Sequence, residues 1–323
     1  AAEARTARSA YLFKPATAVR VRFATNDPTP WPPELPAGEN PPPGGIIDYY
    51  LPNDASSEVR LEILENGGKV IRRYSSNDPV LRPHPALDSA AYNRVCQQTP
   101  TAPFCGLPLY WPGAPTLVST QRGMHRFIWD LHFDPVTVGD TVPNSDEEAN
   151  GAVPHRTYTT ANAPWAPPGN YTVRLTVNGQ STTQPLTLRL DPRVKTPAAG
   201  LTQLANLSRQ LYDAAVATHA AYLQARSLAS SLAEGSAARA RIDSIAPPPA
   251  RGGGRRGGFG RRGGAGGATE TLNGASDALL AAAMAMQSAD VAPTAAEIAA
   301  ADRAKTQASA VMARWSSLRN ARQ

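Results

Sequence analysis

One stretch, from Pro168 to Arg193, constrains the fold more than any other part of the chain. Apolar and polar residues alternate from Tyr171 to Val177, Asn178-Gly179 interrupts the run, and the alternation resumes at Leu186. Such alternation is typical of a strand with one buried face, and Asn-Gly is a preferred centre for a tight two-residue turn. The pattern predicts an antiparallel hairpin that ends at Asp191-Pro192, because proline cannot donate to the ladder. The alternating residues are Tyr171, Val173, Leu175, Val177, Leu186, Leu188 and Leu190.

Further strands are predicted upstream of this hairpin. Strand character is found in Val19–Phe23, Ile46–Leu51, Val59–Leu64, Val70–Tyr74 and His125–Leu131. Many short strands separated by turn signals favour an immunoglobulin-like or fibronectin type III-like β-sandwich. We assign this β-sandwich to residues 16–195, after an N-terminal tail at 1–15, with long loop insertions at 26–45, 78–123 and 134–168.

The character of the chain changes to helix after Pro197. Apolar and small residues recur at three- and four-residue spacing in three segments, which places them on one face of each helix. The third segment begins with a capping box, Thr294-Ala-Ala-Glu297, whose side chains satisfy free backbone amides. Alanines in these repeats allow close helix packing. Residues 196–323 are therefore predicted to form an antiparallel three-helix bundle, and the fold class is a two-domain β + α protein.

The segment between the first two predicted helices, residues 246–269, is rich in arginine and glycine. It contains no acidic residue. Three interpretations remain open: an unstructured linker, a docking segment for an acidic protein face or anionic lipid headgroups, and a nucleic-acid contact. The candidate partner-binding residues are Arg251, Arg255, Arg256, Phe259, Arg261 and Arg262.

Two cysteines, Cys96 and Cys105, lie close together in a proline-rich stretch. This spacing favours a local disulfide over buried free thiols or a metal site, since no histidine or further cysteine is near. A disulfide indicates an oxidising compartment, which is the periplasm or the cell exterior. The 323-residue chain has a net charge of +6 and no run of about 18 apolar residues, so we predict no transmembrane segment of its own.

Several short motifs resemble the carboxy-terminal region of bacterial exported proteins with sortilin-like, BNR-type β-propellers, which are often labelled glycosyl hydrolases. The resemblance covers nearly the whole chain and implies an immunoglobulin-like sandwich followed by helices. The propeller repeats, where a glycosidase would carry its catalytic groups, are not part of this sequence. We therefore expect a processed or truncated piece of a longer precursor. The motifs are Phe13-Lys14-Pro15, Gly38–Pro42, Ile47–Leu51, Gly123-Met124, Arg126–Leu131, Pro168–Val173 and Leu190–Arg193.

Candidate chemistry is sparse. Asp130, His132 and Asp134 would share one face of a continuing strand and could act as an acid/base or metal trio. Our preferred interpretation is that they satisfy loop amides at one end of the sandwich. The acidic stretch of Asp140 and Asp146–Glu148 could hold calcium, but its spacing fits no EF-hand, and a solvated loop is favoured. We assign no catalytic, metal or cofactor-binding residue.

These observations predict a non-catalytic structural or interaction protein that is periplasmic or extracellular and peripheral to a membrane. Its partners would be the protein subunits of a larger membrane-associated assembly, for example an energy-transducing complex, or anionic lipid headgroups. The disulfide and the resemblance to exported proteins argue against nucleic acid. The alternative is a carbohydrate-binding accessory module of an exported glycoside hydrolase, in which Trp31, Trp111 or Trp165 would stack on sugars.

Overall fold

The structure is a computed structural model that describes residues 8–21, 36, 44–78, 88–98, 105, 117–136, 163–248 and 270–320. The chain divides into a β-rich unit that ends at Val194 and a helical unit that begins at Lys195. Val136, Ala163 and Pro164 are grouped with the helical unit. A β-rich region followed by a helical region was the coarse prediction from the sequence, and the structure confirms it.

In the described residues, the β-rich unit contains two sheets and one helix. The strands are β1 (Tyr11–Leu12), β2 (Ala18–Arg20), β3 (Gly45–Leu51), β4 (Val59–Leu64), β5 (Val70–Ser75), β6 (Gly123–Trp129), β7 (Gly169–Val177) and β8 (Gln180–Leu190). Helix α1 (Ser89–Gln98) lies between β5 and β6 in the chain.

A five-stranded sheet is built around the predicted hairpin, in the order β2-β8-β7-β4-β5. β7 and β8 are antiparallel, and Val177 pairs with Gln180 across the turn. Asn178 and Gly179 have φ values of +48° and +78°. Positive φ at both central residues matches the right-handed twist of the strands, which is why Asn-Gly is favoured here. The hairpin prediction is confirmed.

A three-stranded sheet has the order β1-β3-β6. Its Ile47, Tyr49 and Phe127 are almost fully buried. Tyr74 of β5 contacts Phe127 with ring centroids 4.5 Å apart, so side chains from the two sheets meet in one core. These large aromatic contacts bury apolar area, which is the main favourable contribution to folding.

Helix α1 anchors the predicted disulfide. Asp88 begins the helix because its carboxylate accepts a hydrogen bond from the Ala91 amide at 2.8 Å. Cys96 in the last turns of α1 is joined to Cys105, with Cα atoms 5.5 Å apart. The cross-link closes a short loop and restricts the unfolded chain.

The described part of the helical unit contains helices α2 (Ala198–Ser230), α3 (Ala237–Ile245), α4 (Leu272–Ala285) and α5 (Ala295–Asn320). Helices α2, α4 and α5 each pack against the other two, and α3 packs on α2 and α5. Small residues such as Ala215 and Ala283 are fully buried, as close helix packing requires. The predicted capping box is present, since the Thr294 amide donates to Glu297 at 2.7 Å.

The structure also contains elements that the sequence patterns did not indicate. The predicted tail at 1–15 includes β1, which pairs with β3 through Tyr11 and Leu12. The predicted insertion at 78–123 includes α1, and α3 precedes the arginine-glycine segment. β2 joins β8 in parallel, whereas all other pairs are antiparallel in the described part of the chain.

The turn at Gly179 provides a stability test. We expect Gly179→Ala to lower the free energy of unfolding by about 1 kcal/mol, because an L-residue is strained at this φ. No atom lies within 4 Å of the added Cβ, so the cost is conformational only. Gly169→Ala is the matched control, since its φ is ordinary and its nearest contact is 3.9 Å away. Urea unfolding followed by tryptophan fluorescence measures both variants. Equal stability of the two variants would contradict this account of the turn.

Candidate interaction site

The acid/base candidate Asp130 is held by a buried arginine. Its carboxylate accepts hydrogen bonds from Arg72 at 2.7 Å and from the Tyr74 hydroxyl at 3.1 Å. The Arg72 side chain is only 11% exposed, and its guanidinium lies 4.6 Å from the centre of the Tyr74 ring. Burial lowers the pKa of Arg72, but Asp130 and Tyr74 outweigh it, so the pKa is raised and the guanidinium stays charged. Burial, followed by the Asp130 charge, raises the pKa of Tyr74.

The other two members of the proposed trio are also occupied by structural contacts. Leu131 has a φ of +62°, which ends the strand alternation after β6. The His132 ring packs on Trp165 at 4.0 Å, and its Nδ1 lies 2.7 Å from the Asp130 carbonyl oxygen. Asp134 accepts a hydrogen bond from the Arg73 amide at 2.9 Å. Burial raises the pKa of Asp134, and that amide and Arg72 oppose the shift. The trio thus connects β5 to the end of β6.

The outward face of the five-stranded sheet is polar. Glu62 on β4 lies between Arg174 on β7 and Arg73 on β5, at 2.8 and 3.5 Å. These three residues are directly paired in the strand register. Cross-strand ion pairs of this kind stabilise a sheet face without needing another molecule. The Glu62 side chain is only 5% exposed, so its charge is compensated within the sheet.

The outward face of the three-stranded sheet has a different composition. Tyr11, Tyr50 and Met124 are paired in one row across β1, β3 and β6. Met124 is 59% exposed. In the next row Asp48 and Arg126 form a two-bond ion pair at 2.8 and 2.9 Å. We call Tyr11, Tyr50, Met124, Asp48 and Arg126 the aromatic face. It combines ring surfaces with exposed hydrogen-bonding groups.

In the helical unit, both ends of the arginine-glycine segment are fixed to helices. At its start, the Tyr222 hydroxyl donates to the Pro247 carbonyl at 3.0 Å, and Arg226 donates to the Ala246 carbonyl at 2.8 Å. At its end, Arg314 donates to the Glu270 carbonyl at 3.3 Å. Thr271 then caps α4 through the Gly274 amide. The described residues at the two ends of the segment are therefore held in place by helix side chains.

A groove between α3 and α5 lies beside these anchor points. Its volume is about 460 Å³. Both helices present the same short pattern, with arginine followed three positions later by serine and then by a branched apolar residue. We call it the basic groove; it is lined by Arg241, Ser244, Ile245, Ala313, Arg314, Ser317 and Leu318.

The arginines of the basic groove differ from their neighbours in charge pairing. Arg226 forms an ion pair with Asp243, and Arg209 forms one with Asp213. Among the described residues, no acidic side chain lies within ion-pair distance of Arg241 or Arg314. Asp243 on α3 is already paired with Arg226 and Arg239, and the lining of the groove contains two arginines and no acidic residue.

The predicted partner-binding residues Arg251, Arg255, Arg256, Phe259, Arg261 and Arg262 lie outside the described residues, as do Trp31, Trp111, Asp140 and Asp146–Glu148. Trp165 is described, and its ring is covered on one side by His132. The sequence interpretation did not include Arg241 and Arg314. The Arg-x-x-Ser pattern occurs in both helices of the sequence, but it indicates a common site only once the two helices are known to be adjacent.

Comparison with protein-family models, curated proteins and solved structures found no match to this chain. The resemblance to sortilin-like exported proteins therefore stays a prediction. In the described part of the chain, no helix combines the length and apolar character that a membrane crossing needs. The described residues also contain no group of three or more histidine, cysteine or acidic residues placed to hold a metal ion.

The structural role of Asp130 can be tested by Asp130→Asn. This change removes the charge that compensates buried Arg72, so we expect a loss of about 1–3 kcal/mol in unfolding free energy. The value is at the low end for a buried pair because the Asp130 side chain is 37% exposed. Chemical denaturation of the full chain measures the effect.

Asp48→Asn is the matched control for Asp130→Asn. It removes the same charge from another arginine pair, but Arg126 is 60% exposed. Exposed pairs contribute little, so we expect a loss below about 1 kcal/mol. A larger loss for Asp48→Asn than for Asp130→Asn would contradict the proposed importance of burial.

Proposed function

We propose that this protein is a non-catalytic, extracytoplasmic interaction subunit that attaches to the periplasmic side of a larger membrane-associated complex. The observation that carries the proposal is the anchoring of the acid-free arginine segment. Tyr222 and Arg226 fix its start, and Arg314 fixes its end, beside a groove that already carries unpaired positive charge. Arginine guanidinium groups can bind carboxylates on a partner protein through two parallel hydrogen bonds.

The compartment is supported by the Cys96–Cys105 disulfide. Such bonds persist in the periplasm and outside the cell, and they are rare in the reducing cytoplasm. The resemblance of the motifs to exported proteins points in the same direction. Attachment to a membrane complex would then come from contacts with other subunits on its periplasmic side.

A non-catalytic role is supported by the contacts of the three residues that could have acted as an acid/base or metal trio. Asp130 compensates Arg72, Asp134 receives the Arg73 amide, and His132 packs on Trp165. A catalytic carboxylate pair needs room for a substrate between its members. Here, Asp130 and Asp134 are bonded to residues of β5, and His132 packs on Trp165.

We also infer that the β-rich unit is an immunoglobulin-like or fibronectin type III-like sandwich. Tyr171 near the start of β7 donates its hydroxyl to the carbonyl of Pro167, four residues upstream, at 2.5 Å. This contact resembles the tyrosine corner of such domains. In the helical unit, the mutual packing of α2, α4 and α5 supports an antiparallel three-helix bundle with α3 as an addition.

The proposal predicts salt-sensitive attachment that depends on the segment. We expect the full chain to sediment with envelope membranes at low salt and to be released at about 1 M salt, where charge interactions are screened beyond about 3 Å. Replacing Arg251, Arg255, Arg256, Arg261 and Arg262 together by serine should move most of the protein to the soluble envelope fraction. Sedimentation followed by immunoblotting measures both effects.

The matched control removes five other exposed arginines, which changes net charge equally. These are Arg8, Arg94, Arg122, Arg189 and Arg303. This variant should stay attached, since none of the five lies in the segment. Attachment that is equally strong in the segment variant would count against the proposal. If the wild-type protein bound protein-free anionic vesicles with the same salt dependence, the partner of the segment would be lipid and not protein, and this part of the proposal would be wrong.

A second candidate function, saccharide binding, is favoured by the aromatic face. Sugar rings stack on aromatic side chains, and Tyr11 and Tyr50 lie side by side next to the Asp48–Arg126 pair. The charged pair offers both acceptors and donors for sugar hydroxyls. In this function, the protein would be a carbohydrate-binding accessory module of an exported hydrolase.

A glycan array tests this alternative directly. If it holds, the full chain should retain a polysaccharide, and Tyr50→Ala should weaken that binding about tenfold, because the stacking surface is lost. Tyr50→Phe is the control, since it keeps the ring and removes only the hydroxyl. An array without hits would rule the alternative out, and so would equal binding of the Tyr50→Ala variant.

A further inference from the structure

We propose that the basic groove binds an acidic, partly apolar segment of a partner protein. This inference rests on the proposed function as an interaction subunit and specifies one of its contact sites. Arg241 lies on α3 and Arg314 on α5, and the exposed Ala313 with the half-buried Leu318 gives the groove its accessible apolar surface. A segment that carries carboxylates on one side and apolar side chains on the other would satisfy both features.

The guanidinium groups are available to a partner. Arg241 and Arg314 are exposed, and no described acid pairs with either of them. Arg314 donates one hydrogen bond to the Glu270 carbonyl, which orients the side chain but does not neutralise it. The remaining N–H groups of each fork can bind a carboxylate through two parallel bonds.

A simpler role for these arginines must be separated from binding. Cations in the last turn of a helix offset its dipole. Arg241 is the central residue of α3, and Arg314 lies more than one turn before the end of α5, so neither arginine is in a last turn. In α5 that position is taken by Arg319. Dipole compensation also gives no reason for the apolar surface of the groove.

The groove favours a protein segment over a lipid surface. Ile245 lines the groove but is only 1% exposed, so Ala313 and Leu318 supply the apolar surface that a partner can reach. This surface lies between two helices, where a narrow segment fits, whereas a flat bilayer is contacted by protruding side chains. The partner is therefore a short acidic segment with branched apolar residues.

The test uses the full chain and a fluorescent synthetic helix with leucines on one face and glutamates on the other. Fluorescence anisotropy should show binding, and replacing Arg241 and Arg314 by serine should weaken it about tenfold or more. Lysine at both positions should give an intermediate loss, because lysine keeps the charge but lacks the fork. The lysine variant also keeps both positive charges, so it remains informative if the serine variant is unstable.

The matched control replaces Arg303 and Arg319 by serine, which removes two charges from α5 outside the groove. Its affinity should stay within about twofold of the wild type. Equal affinity of the groove variant and the wild type would overturn the inference. So would equal binding of a peptide with glutamine in place of glutamate, or binding of phosphatidylglycerol vesicles without binding of the peptide.

The serine variant of the arginine-glycine segment separates this inference from the proposed function. If that variant still binds the peptide and the groove variant does not, the groove assignment holds, whatever the membrane sedimentation shows. If the segment variant alone loses peptide binding, the inference fails, while attachment through the segment stands.

Discussion

The pairing of β7 with β8 is the interaction on which the β-rich unit depends. β4 pairs with the free side of β7, β2 pairs with β8, and β5 is added through β4, so the whole five-stranded sheet takes its register from this hairpin. A slip of one residue would move Tyr171 and the buried leucines of β8 to the outward face. Tyr171 also contacts Trp129 with ring centroids 5.4 Å apart, so the same pairing aligns the two sheets.

Charge is handled differently in the two units, for a physical reason. In the β-rich unit, Glu62 and Arg72 are buried, and an unpaired buried charge would be strongly destabilising. Glu62 is therefore paired with arginines on the neighbouring strands β5 and β7, and Arg72 is paired with Asp130, which directly follows β6. In the helical unit, Arg241 and Arg314 are exposed, and water solvates them at no such cost. Their lack of acidic partners is tolerated by the fold, and it leaves their binding capacity unused.

The sequence predicts those features that rest on local patterns. Alternation on either side of Asn178-Gly179 predicts the β7–β8 hairpin, and Thr294 with Glu297 predicts the start of α5. β1 has only two residues, which is too short for any period to be visible. The ion pair of Arg72 with Asp130 joins residues 58 positions apart. The groove likewise requires two helices to be adjacent, and no local pattern encodes that adjacency.

The composition of the basic groove bears on what its partner must contribute. Exposed charge pairs are each worth only about 0–1 kcal/mol, and offsetting a helix dipole is worth about 0.3–1 kcal/mol. Two arginines alone would therefore direct encounter and orientation more than they would hold a partner. Burial of apolar area at about 25 cal/mol per Å² supplies stronger attachment, and Ala313 and Leu318 offer such area in the groove. A partner that is acidic but lacks apolar side chains would thus arrive quickly and leave quickly, whereas one with both would remain bound.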